Sequence, residues 1–134
     1  MRDGRIGRWL AVAAALLGAT AVAMGAFAAH GLRAAGDPRA VELVETASRY
    51  QLAHALAALL AGALRPARIA ARLAFVAGAL LFPGSLYALA FGLPRGLAML
   101  APVGGGLFVL GWLLLALDLA RGEPRGGAGS LEHP

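Results

Sequence analysis

The chain has no cysteine, so disulfides and thiolate metal sites are excluded. It has no lysine either, and all 12 basic residues are arginines. Charge of both signs is scarce, at 14% of residues against a hydrophobic share of 60%. That mixture is far from a soluble globular composition. Aspartate and glutamate are missing from residues 10–29, 50–64 and 73–117. A carrier of small cations relies on an intramembrane carboxylate, so this gap argues against a proton-coupled exporter. Paired acids, a nucleophile elbow and metal-ligand motifs are also missing. No enzyme, metal or cofactor is therefore expected.

What the chain does have is four long apolar runs, at residues 9–29, 50–64, 73–94 and 96–117. A helix rises about 1.5 Å per residue, so about 20 apolar residues cross a bilayer core. The runs predict an all-α integral membrane bundle of four transmembrane helices near 7–30, 38–64, 69–91 and 96–120. At 134 residues there is room for one such domain, over 1–120. The glycine-rich polar tail at 121–134 is expected to be disordered. The second run alone reaches only about 22 Å as a helix. Its helix must start earlier, and Asp37-Pro38 supplies an N-cap acid followed by proline at the first helical position. Glu42, Glu45 and Arg49 then share a wet face, so this helix begins in the interface.

Arginine placement predicts orientation. Arg2, Arg5, Arg8, Arg65, Arg68, Arg72, Arg121 and Arg125 fall on one side of a four-span chain. Arg33, Arg39, Arg49 and Arg95 fall on the other. The positive-inside rule places both termini in the cytoplasm. The net charge of +5 could suggest nucleic acid. Arginines gathered at the ends of apolar runs point instead to lipid headgroups, so the bilayer is the expected partner and nucleic acid is not. Trp9 and Trp112 suit an aromatic belt at the cytoplasmic interface. The basic start and Ala26-Phe27-Ala28 also resemble a cleavable signal peptide. The first run exceeds a usual signal core, so it is expected to stay uncleaved in the inner or plasma membrane.

Four strings in order carry a resemblance. They are Gly25-Ala26-Phe27-Ala28-Ala29-His30-Gly31-Leu32, Thr46-Ala47-Ser48-Arg49-Tyr50-Gln51-Leu52-Ala53-His54-Ala55-Leu56, Gly84-Ser85-Leu86-Tyr87, and Pro102-Val103-Gly104-Gly105 with Gly111-Trp112. Together they resemble the domain-of-unknown-function 423 family, small bacterial inner-membrane proteins of the YgdD type with transmembrane-protein-256-like relatives in eukaryotes. The resemblance covers residues 9–120. It implies four membrane spans and no particular activity.

Polar groups within the runs are the candidate site. Thr46, Tyr50 and His54 recur at i,i+4 on the second helix, with Gln51 beside them. Counting from the arginine end, His54 and Ser85 fall at similar depth on antiparallel neighbours, as do Gln51 and Tyr87. This predicts a polar seam between the second and third helices, with His54 inside the bundle near Ser85. The leading reading is interhelical hydrogen bonding with a neutral His54. The alternative is a proton relay or binding site in a small oligomeric transporter or channel. His30 and Gly31 read as a helix C-terminal histidine and its left-handed cap rather than half of a metal site with His54. Gly104, Gly105 and Gly106, like Gly18, Gly25 and Gly78, suit close helix contact. His133 carries no role. The function expected is structural or interactive, with homo-oligomers or other membrane proteins as partners.

Overall fold

A computed structural model describes residues 2–122 of the chain, and these are helical throughout apart from short connections. Helix α1 runs over Arg2–Phe27, continues through a π-helical turn at Ala28–Leu32, and finishes with Arg33–Ala35. Helix α2 spans Pro38–Leu64 and α3 spans Ala70–Ala90. A 3₁₀ turn at Arg95–Met99 leads into α4, Leu100–Ala120. The tail expected to be disordered lies, from residue 123 on, outside the described residues.

Three of these helical stretches are long and apolar enough to cross a membrane: Gly4–Ala35, Ala70–Ala90 and Arg95–Ala120. Helix α2 is as long, at 27 residues, but carries Arg39, Glu42, Glu45 and Arg49 in its first half. Its start follows from local chemistry. Asp37 is extended and its Oδ1 accepts from Ala40 N at 3.1 Å, while Pro38 needs no donor at the first turn.

The end of α1 differs from the expected one. Gly31 lies inside the π-helical turn, and the left-handed cap is Gly36 at φ 75°. A Cβ at Gly31 would come within 2.7 Å of the Phe27 ring, so this glycine serves packing within its own helix. His30 is exposed and hydrogen-bonds nothing with its side chain among the described residues. The fourth helix also starts later than residue 96, because Arg95–Met99 winds as the tighter 3₁₀ form first.

The helices pack in chain order, each antiparallel to the last. Helix α2 lies against α1 and α3, and α3 lies against α4. The core is built from small residues. Ala14, Ala57, Ala58, Ala61, Ala71 and Phe75 are buried, while Leu16, Leu56, Leu80 and Leu113 point outward. Alanine inside and leucine outside is the pattern of a bundle in lipid, where acyl chains are as apolar as leucine and close backbone approach supplies the contacts. The α3–α4 crossing shows this at its tightest. A Cβ at Gly104 would sit 2.7 Å from Phe82 Cβ, and one at Gly111 would sit 2.7 Å from the Phe75 ring. Gly105 and Gly106, by contrast, face open or loosely packed space. Pro83 is fully buried within α3, whose helix continues through it.

At the arginine-rich end, Arg72 is buried and donates from Nη2 to Gly7 O. Its guanidinium passes between α1 and α2 where Gly7 and Gly62 leave room. A Cβ at Gly62 would lie 2.8 Å from Arg72 Cζ. Arg65 Nε donates to Asp118 O at 3.1 Å, and Arg68 stands 3.8 Å from the Asp118 carboxylate. These contacts tie α1, α2, α3 and α4 together at one end.

Candidate functional site

Two separate groups of polar residues bond across helices within the bundle. The first centres on Gln51, which is buried on α2. Its Nε2 donates to Leu17 O at 2.8 Å and to Thr20 Oγ1 at 2.6 Å, both on α1. Its Oε1 accepts from Tyr87 Oη of α3 at 2.8 Å. The Thr20 hydroxyl in turn donates back to Leu16 O and Leu17 O of its own helix. The carbonyl of Leu17 fixes the amide orientation, since a flipped Gln51 would set oxygen against oxygen. One side chain therefore fastens three helices.

The second group surrounds His54, also buried on α2. Its Nδ1 lies 2.7 Å from Tyr50 O, four residues back. A carbonyl only accepts, so Nδ1 carries the hydrogen. Trp112 Nε1 of α4 donates to Nε2 at 3.3 Å. The neutral Nδ1–H tautomer thus satisfies both ring nitrogens. The ring stacks on Phe108, with centroids 3.5 Å apart and planes 10° from parallel. Phe75 of α3 and Tyr50 complete an aromatic cluster around it. Such stacking supplies area and geometry.

The seam expected from depth counting is divided by these partners. Gln51 and Tyr87 meet across α2 and α3, at matched depth. His54 and Ser85 do not bond. Ser85 Oγ donates to Phe82 O within its own helix at 2.7 Å, and the polar partner of His54 is on α4. The reason is rotational. Depth places residues along an axis but leaves their azimuth open, and the i,i−3 carbonyl offers serine a nearer acceptor. Thr46 is half-buried and hydrogen-bonds no other helix among the described residues. Tyr50 enters through its carbonyl and its ring rather than its hydroxyl.

Sequence reading missed Thr20 and Leu17 O on α1, and it placed Trp112 in an interfacial belt. The structure puts the Trp112 indole against His54, eight residues before the end of α4. The signal for Thr20 was present, as the lone hydroxyl in an otherwise apolar first run. That for Trp112 was its position in an apolar helix opposite a histidine that needs a donor.

Residues 24–105, which hold Gln51, His54 and Tyr87, match the family described as "Protein of unknown function (DUF423)". The chain is similar to a UPF0382 membrane protein of Haemophilus influenzae, 42% identical over 106 residues, covering 76% of this chain and 86% of that protein. It is 37% identical over 102 residues to UPF0382 membrane protein SAB0533 of Staphylococcus aureus, covering 72% and 83%. It is 34% identical over 124 residues to the UPF0382 inner membrane protein YgdD of Escherichia coli K12, covering 89% and 95%. No solved structure matches this chain. With its three span-capable helices, this is a multi-pass protein of the inner or plasma membrane. The chain belongs to the DUF423 family of membrane proteins.

Proposed function

We propose that the protein is a non-enzymatic four-span membrane protein, with both termini cytoplasmic, that acts by lateral association with itself or with other membrane proteins. The observation that supports this is how its intramembrane donors are used. The N–H and O–H groups of Gln51, Thr20, Tyr87, Ser85 and Trp112 all point at acceptors within the bundle. None is held ready for a substrate proton, and His54 offers no open nitrogen to act as a base. Chemistry needs at least one group held at a reacting position, and these side chains hold their hydrogens within the bundle instead.

Membrane crossing by α2 is supported by its antiparallel seat between α1 and α3. Both of those helices are long enough to span, and α2 is the segment that joins the far end of one to the near end of the other. Its charged first half stands at the outer interface, where Glu45 pairs with Arg33 at 2.8 Å. Reporter fusions at Asp37 and Arg68 test the orientation. A periplasmic or external signal at Asp37 and a cytoplasmic one at Arg68 are expected, and a cytoplasmic Asp37 overturns it. Native mass spectrometry from membrane-derived nanodiscs tests association. A homo-oligomer or a defined hetero-complex is expected, and a strict monomer overturns that part of the reading.

A further inference from the structure

Helices α1 and α3 touch only lightly, and a groove runs between them with α2 as its floor. It consists of two adjoining hollows, about 250 and about 310 Å³, that share Leu17, Thr20 and Leu80. One end is wholly apolar apart from Thr20, between Ala13 and Val76. The other end is lined by Gln51 and Tyr87 beside Gly84. Both flanking helices are long and apolar enough to cross the membrane, so the groove opens sideways into acyl chains.

The polar end lies deep. Gln51 is 14 residues from Arg65, and Tyr87 is 15 from Arg72. These separations put both side chains about 20 Å from the arginine-rich end, within a hydrocarbon core about 30 Å thick. A phosphate headgroup cannot follow its chains to that depth, because moving its charge out of water costs far too much. An uncharged hydroxyl can, provided that it finds a partner there.

The kind of partner follows from a donor–acceptor count. Both hydrogens of the Gln51 amide are used, as are the hydroxyl hydrogens of Thr20 and Tyr87. Among these side chains, unused capacity consists only of lone pairs, on Tyr87 Oη, Gln51 Oε1 and Thr20 Oγ1. The groove can therefore accept a hydrogen bond but has none to give. We propose that it binds an apolar lipid with an uncharged hydroxyl head and no ester beside it, a quinol. A quinol O–H donates to Tyr87 Oη or to Gln51 Oε1, and its chain lies along Leu16 and Leu80. Ester carbonyls and quinones bring acceptors to acceptors and gain nothing there.

The inference goes beyond the proposed function and needs neither its orientation nor its partners. The test uses the full chain in nanodiscs, with four probes. They are a short-chain benzoquinol, its benzoquinone, dioleoylglycerol and dioleoylphosphatidylcholine, each carrying a photoactivatable group. Labelling is mapped by mass spectrometry. The benzoquinol is expected to label α1 and α3 near Thr20 and Tyr87 about tenfold more strongly than its benzoquinone, the worth of one hydrogen bond in a dry site, and the phosphatidylcholine is not expected to label there. Labelling by dioleoylglycerol as strong as that by the quinol would overturn the quinol as the occupant. Gly84→Leu is the blocking variant, because Gly84 lines the polar end and a Cβ there meets nothing within 4 Å. It should abolish the preference while leaving helicity unchanged. Gln51→Leu should reduce the discrimination between quinol and quinone. Equal labelling by quinol and quinone, no labelling at the groove, or full labelling of a folded Gly84→Leu would each overturn the proposal.

Discussion

Gln51 and Ser85 are both buried polar side chains, yet they stand in different energetic positions. Gln51 bonds to two neighbouring helices, while Ser85 bonds only to its own. Interhelical hydrogen bonds in membranes average about 0.6 kcal/mol each. Gln51→Leu should therefore destabilise the bundle by about 1–2 kcal/mol, and Ser85→Ala by less than half as much. Unfolding in mixed micelles followed by circular dichroism reads both, and equal losses would contradict the assignment. His54 supports a sharper test. A double-mutant cycle between His54→Leu and Trp112→Phe isolates the Nε2 bond and should give a coupling of about 0.6 kcal/mol. The same cycle between His54→Leu and Ser85→Ala should give none. Residue identity was legible here, since polar side chains in apolar runs mark themselves. Their partners were legible only for Gln51 and Tyr87, because equal depth does not fix which way a side chain faces.

At the scale of elements, α3 and α4 are held by the smallest side chains. Gly104 and Gly105 are neighbours in sequence and have opposite surroundings. A Cβ at Gly104 would press on the Phe82 backbone, which cannot rotate aside, whereas one at Gly105 has its nearest neighbour at 3.9 Å. Gly104→Ala should force the helices apart and cost about 1–3 kcal/mol. Gly105→Ala should be neutral or slightly stabilising, through better helix propensity of up to about 1 kcal/mol. Thermal unfolding in detergent separates them, and a harmless Gly104→Ala would refute the close crossing. The start of α2 could be read directly, because Asp37-Pro38 is a local device and its bond to Ala40 N is local too. The end of α1 could not. Gly31 and Gly36 are both glycines after apolar sequence, and the choice between them rests on the π-helical turn that carries the chain past Gly31.

For the whole molecule, orientation should respond to charge. Arg5, Arg8 and Arg68 can be changed with less damage than Arg65 and Arg72, which bond to carbonyls of other helices. Neutralising those three lowers the balance from eight against four to about five against four by the positive-inside count. The triple variant should insert in mixed orientation, with a reporter at Asp37 active on both sides. A single unaltered orientation would show that features other than arginine set the topology.

The membrane class, the helical build and the positions of the long helices were decided by sequence alone. Apolar run length and charge placement are one-dimensional properties, and the bilayer reads them in one dimension. Tertiary structure decided everything that depends on azimuth and distance across helices. It split the expected seam into a Gln51 clasp on α1 and α3 and a His54 cluster on α4. It placed Arg72 between two glycines, and it left α1 and α3 far enough apart to form a groove with only acceptors to spare. Those outcomes depend on which faces of four helices meet, and no single stretch of the chain contains that information.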